Sequence, residues 1–166
     1  MNLARLLDPE LIKLSMDTRI ETESGTMPTA KQNRQNKELI LDELVSLLEK
    51  SGRVGNRTRL LTDFINRERK ASTAIGYGIA IPHVRTYQAK DLVIAVARSV
   101  EGYEFEAPDD GPVRLFFAMA APSYDDSLYL KVFKALAEVL RFDYFRDRLM
   151  TAETEYDIIR AFEEMS

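Results

Sequence analysis

The sequence predicts a single domain over residues 1–166, an α/β/α sandwich in which helices flank a mixed, mostly buried sheet. Three observations predict this fold. The length suits one domain with a substantial core. The segments 92–100 and 113–121 are nearly continuous apolar runs, which is typical of strands that are buried on both faces. Amphipathic helical patterns lie before and after these strands, and such interleaving favours helices packed on a sheet.

The N-terminal part predicts a short strand followed by a polar loop. Apolar residues alternate from Ile12 to Met16, and this spacing fits a strand. Residues 18–36 are polar, lack periodicity and contain Gly25 and Pro28. Because such a segment buries too little apolar area to offset its ordering entropy, we expect a mobile surface loop.

Two amphipathic helices are predicted next. Leucine and isoleucine recur largely at spacings of three and four over residues 37–50, with Asn36 as a possible N-cap and Gly52 just past the end. A second helix is expected to begin near Asn56, which can cap it, and to end around residues 69–70.

The second half of the chain alternates strands and helices. A glycine-bearing loop leads into a predicted short strand over Gly78 to Ile81, ahead of the two buried strands. After Pro122 a long helix is predicted from residue 125 or 127 to Arg141, and a last helix is predicted to start near residues 151–153. The side chains that these two helices are expected to bury are Leu128, Val132, Phe133, Leu136, Ala137 and Leu140, then Tyr156, Ile158, Ile159 and Phe162.

The composition excludes several classes of function. The formal net charge is −4, from 23 basic and 27 acidic residues, whereas nucleic-acid-binding proteins usually carry a basic excess. The absence of cysteine excludes a disulfide framework, a thiolate metal site and a thiol nucleophile. No apolar stretch approaches the roughly 20 residues of a membrane span, and the N-terminus does not resemble a signal peptide. We therefore expect a cytoplasmic protein without membrane insertion, metal or cofactor.

His83 is the only histidine in the chain and the leading candidate for chemistry. It comes directly after Pro82 at the end of a predicted strand, where a fold can present reactive side chains at its surface. A neutral imidazole is nucleophilic and can accept a phosphoryl group, which the phosphoramidate can pass on. The alternative is a structural histidine that forms a hydrogen bond at the strand end.

Basic and hydroxyl side chains precede His83. Arg67 lies in the cluster NRERK at the end of the second predicted helix, and a guanidinium can stabilise the charge of a transferring phosphoryl group. Basic residues at a helix C-terminus are also favoured by the helix dipole alone. Ser72 and Thr73 could donate hydroxyl and backbone N–H groups to a phosphate, or could simply form the turn.

The segment 67–85 reads RERKASTAIGYGIAIPHVR. It resembles the signature of the enzyme IIA domains of the fructose/mannitol class in the bacterial phosphoenolpyruvate-dependent sugar phosphotransferase system, including their nitrogen-regulatory branch. Further similarity in LLDPELIKLSM, in DDGPV at 109–113 and in AAP at 120–122 extends the resemblance over the chain apart from 18–36, which resembles an insertion. The positions that match the signature are Arg67, Glu68, Ser72, Thr73, Gly76, Gly78, Ala80, Ile81, Pro82 and His83.

The resemblance implies that His83 accepts a phosphoryl group from an HPr-type phosphocarrier protein and that Arg67 stabilises the phosphoryl charge. A IIB domain or regulatory target proteins are the further partners that it implies. Members of this family usually carry a second histidine beside the first, and Tyr129 occupies that position here. A phenol can donate a hydrogen bond, but it cannot carry a positive charge at neutral pH.

Two functions follow from this pattern. The first is a phosphotransferase-system protein that carries a phosphoryl group on His83, and it is expected to be a stand-alone regulatory member because no segment resembles a permease or a IIB domain. The second is a regulatory binding module of the same fold, in which phosphotransfer is weakened or lost at Tyr129. A weaker third reading is an unrelated hydrolase with His83 as base, for which no serine, cysteine or carboxylate pair is convincingly placed.

Overall fold

The computed structural model describes residues 1–20, 28–125 and 127–166. The strands are β1 (Ile12–Lys13), β2 (Ala74–Gly76), β3 (Ile79–Ala80), β4 (His83–Thr86), β5 (Val93–Tyr103) and β6 (Val113–Pro122). The helices are α1 (Ala30–Glu49), α2 (Arg57–Lys70), α3 (Leu128–Val139), α4 (Asp143–Thr151) and α5 (Glu155–Glu164). Two short 3₁₀ helices, Leu3–Leu6 and Pro9–Leu11, precede β1.

The strands form one mixed sheet, as predicted. The long strands β5 and β6 pair antiparallel at its centre, and β1 adds to β5 in parallel. On the other side, β3 and then β4 pair in parallel with successive parts of β6, while β2 lies antiparallel to β3 at the edge. The carbonyl of Pro82, between β3 and β4, accepts a hydrogen bond of 2.8 Å from the N–H of Met119. The chain therefore stays beside β6 through this interruption.

Side chains of the central strands alternate between two hydrophobic cores. Val93 and Ala95 belong to the core covered by α1 and α2, whereas Ile94 and Val96 belong to the core covered by α3, α4 and α5. Both faces of β5 and β6 are thus buried, which explains why their sequences are nearly continuous apolar runs. The predicted α/β/α sandwich is confirmed.

The first two helices show one correct boundary and one wrong boundary. Helix α2 begins at Arg57, and the Asn56 side chain accepts a hydrogen bond of 3.1 Å from the Arg59 N–H, as a capping residue does. Helix α1 begins at Ala30, so the prediction of a loop is wrong for residues 30–36. Residues 21–27 of the predicted loop lie outside the described residues.

The early start of α1 has a local cause. The Thr29 hydroxyl accepts a hydrogen bond from the Gln32 N–H, and the Gln32 side chain accepts one from the Thr29 N–H. This capping box satisfies backbone donors that would otherwise lack a partner. The first turns of the helix reach beyond the core and bury little, so they lack the apolar periodicity by which a helix is detected.

The C-terminal helices depart from the prediction in three respects. Helix α3 buries Val132 and Leu136 as expected, but Leu128 is 43% exposed at its start. Tyr156, expected in the core, is 63% exposed. Helix α4 was not predicted, and it is anchored by the buried side chains of Phe145 and Leu149. Within the described ranges, no helix combines the length and the apolarity that a membrane crossing requires.

Candidate functional site

His83 follows the predicted short strand, which is β3 in the structure, and it is also the first residue of β4, which was not predicted. The preceding strands β2 and β3 form a hairpin whose turn residues Tyr77 and Gly78 have φ values of +59° and +77°. Positive φ at both central residues matches the twist of a tight hairpin, and glycine adopts it without strain. Because proline has no N–H to donate to a neighbouring strand, Pro82 interrupts the strand pairing and separates β3 from β4.

The His83 ring is partly buried and held in one orientation. Its Nδ1 atom lies 2.7 Å from the carbonyl oxygen of Ile81, and its centroid lies 4.9 Å from that of Phe133. A carbonyl oxygen can only accept a hydrogen bond, so Nδ1 carries the proton. In the neutral ring the nucleophilic lone pair therefore lies on Nε2.

The surroundings of His83 favour the neutral ring. Burial has the largest effect and lowers the pKa of His83 below its ordinary value of 6.5. The hydrogen bond with Ile81 raises the pKa, the positive charge of Arg67 lowers it and the negative charge of Glu68 raises it. Because the net direction is downward, the imidazole is neutral at neutral pH and keeps its lone pair.

Arg67 lies in the last turn of α2, and its charge acts on His83. Its Nη1 atom donates a hydrogen bond of 2.9 Å to the carbonyl of Ala71, just past the helix end. The side chain is partly buried. Arg67 therefore stabilises the C-terminus of the helix and also adds positive charge near the imidazole, so the two interpretations of this residue are compatible.

The hydroxyl groups of Ser72 and Thr73 donate to other parts of the protein. Ser72 Oγ donates to the carbonyl of Phe105 at 2.9 Å, and Thr73 Oγ1 donates to Glu68 Oε2 at 2.6 Å. Each hydroxyl has a single proton, which these contacts use. To donate to a phosphate, each hydroxyl would have to give up its present acceptor. Direct phosphate binding by these two hydroxyls stays a prediction.

An ion pair between Lys37 and Glu68 supports this segment, and sequence reasoning missed it. The Lys37 Nζ atom lies 2.9 Å from Glu68 Oε1, and the two side chains are 6% and 4% exposed. Glu68 Oε1 also accepts a hydrogen bond of 2.8 Å from the Thr73 N–H. A single carboxylate therefore ties α1 and α2 to the chain entering β2. The sequence does hold a signal, since Lys37 lies on the buried stripe of α1 with Ile40, Leu41, Leu44 and Leu48.

Tyr129 lies beside His83 in the first turn of α3. The two ring centroids are 6.3 Å apart, and the rings are inclined by 30°. Arg85, which the sequence analysis did not single out, places its guanidinium carbon 5.3 Å from the centroid of the Tyr129 ring. Of the residues predicted for the site, Tyr129 thus lies beside His83, and Arg67 lies near enough for its charge to act on the imidazole.

The fold and the site define an α/β sandwich protein with a partly buried imidazole that lies beside Tyr129 and feels the charge of Arg67. The family model described as "Phosphoenolpyruvate-dependent sugar phosphotransferase system, EIIA 2" matches residues 27–165. The chain belongs to this EIIA family, as the sequence motif indicated.

Individual relatives include both sugar-transport and regulatory proteins. The PTS system fructose-specific EIIABC component of Bacillus subtilis is 36% identical over 140 residues, which cover 83% of this chain and 22% of that protein. The fructose-specific EIIA component of Haloferax volcanii is 34% identical over 122 residues, 74% of this chain and 79% of that protein. The crystal structure of nitrogen regulatory protein IIA-Ntr from Neisseria meningitidis superposes with a TM-score of 0.81 at 26% identity, covering 96% of this chain and 98% of that one.

Proposed function

We propose that this phosphotransferase-system protein accepts a phosphoryl group on Nε2 of His83 from an HPr-type phosphocarrier protein and passes it on or signals through it. The observation that carries the proposal is the 2.7 Å hydrogen bond between His83 Nδ1 and the Ile81 carbonyl. It fixes the tautomer whose lone pair lies on Nε2, and the lowered pKa keeps that lone pair free of a proton.

The transfer step balances without a cofactor. The Nε2 lone pair of His83 attacks the phosphorus atom on the donor histidine, a nitrogen–phosphorus bond forms, and the donor's bond breaks with its electron pair returning to the donor imidazole. The product ring holds a proton on Nδ1 and phosphorus on Nε2, so it carries a positive charge. The Ile81 carbonyl stabilises that positive charge by accepting a hydrogen bond from Nδ1. The positive charge of Arg67 compensates the negative charge of the phosphoryl group.

The second candidate is a regulatory binding module with weakened transfer. Tyr129 favours it, because a neutral ring stands 6.3 Å from His83 where the family usually has a second imidazole. In this case the protein would act by binding regulatory targets or a IIB domain, and its phosphorylation would be slow or absent.

One experiment separates the two candidates. The protein is incubated with phosphoenolpyruvate, enzyme I and an HPr-type donor, and the intact mass is measured with time. A carrier gains the mass of one phosphate, which is acid-labile and alkali-stable, and the label on His83 lies on Nε2. Failure of the wild type to take label while Tyr129→His does so would replace the carrier by the binding module.

The control variant is His83→Ala, which removes the only imidazole of the chain. It is expected to take no label under the same conditions. Label that persists in His83→Ala would show that another residue is the acceptor, and label on Nδ1 would contradict the tautomer assignment.

A further inference from the structure

The guanidinium of Arg85 places a positive charge next to the Tyr129 ring, whose phenol cannot carry one. The Arg85 guanidinium carbon lies 5.3 Å from the centroid of the Tyr129 ring, within the range of a cation–π contact. Arg85 Nη1 also donates a hydrogen bond of 3.1 Å to the carbonyl of Asp125, just before α3. The guanidinium is thus held from two sides, by the ring and by the loop that leads to that helix.

Arg85 and His83 project from the same face of β4. Val84 and Thr86 are buried on the opposite face, as the alternation of a strand requires. Residues two apart in a strand lie about 6.6 Å from each other along it. The Tyr129 ring packs against both side chains, with its centroid 6.3 Å from that of His83. The imidazole, the phenol and the guanidinium therefore form one continuous group.

We propose that Arg85, held in place by the Tyr129 ring, supplies to a phosphoryl group on His83 the positive charge that a second imidazole supplies elsewhere in the family. This inference rests on the proposed function. A guanidinium suits the task because its planar fork can donate two parallel hydrogen bonds to phosphate oxygens. Its bond to the Asp125 carbonyl uses Nη1 and leaves further N–H groups for the phosphoryl oxygens.

Arg85 and Arg67 lie on different elements, and Arg67 is the arginine whose charge already acts on the unphosphorylated imidazole, whereas Arg85 reaches the site through the Tyr129 ring. Arg67 comes from the last turn of α2 and is tied to the Ala71 carbonyl, whereas Arg85 comes from β4 and is tied to Asp125. In this proposal, a phosphoryl group on Nε2 is stabilised by two guanidinium groups, one from α2 and one from β4. The arrangement also replaces a titrating charge by a permanent one, because a guanidinium stays protonated throughout the pH range in which an imidazole titrates.

The test measures the rate of phosphoryl acceptance from the HPr-type donor. Arg85→Gln is expected to slow acceptance by about tenfold to a hundredfold, the size of effect expected when a charge-assisted hydrogen bond is lost. Arg85→Lys should keep part of the rate, since it retains the charge but loses the planar fork. Arg114→Gln is the matched control, because Arg114 is also exposed and also donates to a single carbonyl, that of Val100 at 3.2 Å.

The role of Tyr129 is tested by two substitutions. Tyr129→Leu should slow acceptance more than Tyr129→Phe, because phenylalanine keeps the ring that holds the guanidinium and leucine does not. Equal effects of the two would contradict a holding role for the ring. Thermal unfolding of each variant verifies that the fold is intact.

Rescue separates a charge role from a structural one. Adding Tyr129→His to Arg85→Gln should restore much of the rate and introduce a second titrating group into its pH profile, because the second imidazole then carries the charge. If the wild type takes label and Arg85→Gln matches Arg114→Gln, the role of Arg85 is refuted while the proposed function stands. If the wild type takes no label, the proposed function fails and the role of Arg85 fails with it.

Discussion

Lys37 and Glu68 form an ion pair that is almost completely removed from solvent, with Nζ and Oε1 2.9 Å apart. Glu68 also receives two hydrogen bonds from Thr73, one from the N–H and one from the hydroxyl. The pair therefore connects α1 to the chain that enters β2 and leads to the imidazole. Burying two charges is costly, and it is tolerated here because the carboxylate is paired and hydrogen bonded.

Removal of one partner of this pair should be strongly destabilising. Lys37→Met leaves the Glu68 carboxylate buried and unpaired, and we expect the free energy of unfolding to fall by about 3–5 kcal/mol in urea titrations. Lys31→Met, at an exposed position of the same helix, should change it by less than about 0.5 kcal/mol. The double variant Lys37→Met with Glu68→Gln should recover part of the loss. A double variant as unstable as the sum of the single variants would contradict the coupling.

The contacts of Lys37 and Arg85 could not be predicted from the sequence, whereas several elements of the fold could. The predictions of β5, β6 and α2 hold because apolar runs and a capping asparagine report local structure directly. His83 and Arg67 were predicted as site residues from their residue types and from their neighbours in the chain, and their roles stay predictions. The position of Lys37 on the apolar stripe of α1 indicates that it is buried, but its pairing with Glu68, like the contact of Arg85 with Tyr129, arises only when distant segments pack together.

The parts of the fold that were not predicted also depend on contacts that the local sequence pattern does not show. The first turns of α1 carry a polar sequence and are marked only by the capping box of Thr29 and Gln32. Helix α4 is short and is anchored mainly by Phe145 and Leu149, so its apolar pattern is too brief to distinguish from a turn. Contacts from other elements decide the structure in both places.

The single histidine allows a direct test of the site by NMR. Because burial, the largest influence, lowers the pKa of His83 despite the opposing Ile81 carbonyl, its imidazole should titrate below 6.5 in the folded protein. Arg67→Gln should raise this pKa, since it removes a positive charge that disfavours protonation. Arg114→Gln, with an equal loss of charge at an exposed position on β6, should leave it in place.

The lowered pKa of His83 makes both the stability of the protein and the rate of phosphoryl acceptance depend on pH. The unfolded state protonates His83 first, so the contribution to stability is complete above pH 6.5 and declines as the pH falls toward the lower pKa of the folded state. Phosphoryl acceptance should fall as the pH drops through that folded-state pKa, where Nε2 takes up a proton. An acceptance rate that increases over this range would refute the neutral imidazole as the nucleophile.

Glu43 should make stability sensitive to acid. Burial would raise its pKa, but hydrogen bonds from Lys13, from Thr18 and from the Asp17 N–H outweigh burial and bring the pKa below 4.5. This stabilisation is complete above the unfolded pKa and is lost as the pH falls through the folded one. Glu43→Gln should cost about 1–2 kcal/mol at pH 7 in urea titrations. The cost should shrink below pH 4.5, whereas Glu49→Gln, at an exposed position, should change stability little at either pH.

Arg98 organises the end of α4 through backbone carbonyl groups. Its Nη1 atom donates to the carbonyls of Leu149 at 2.8 Å, Met150 at 3.2 Å and Ala152 at 2.8 Å. Its Nε atom donates to the carbonyl of Leu14 at 2.9 Å, and the residue is 8% exposed. One side chain on β5 therefore joins the C-terminus of α4 to the segment after β1.

Arg98→Met should therefore loosen α4 as well as lower global stability. The substitution keeps an apolar side chain but leaves buried carbonyls without a donor, and we expect a loss of about 2–4 kcal/mol in urea unfolding. Hydrogen exchange should accelerate in α4 more than in α2, because the lost contacts lie at the end of α4. Arg114→Met, which removes an exposed arginine from β6, should leave both measurements near wild type. Equal protection of α4 in Arg98→Met and the wild type would show that Phe145 and Leu149 suffice to hold the helix.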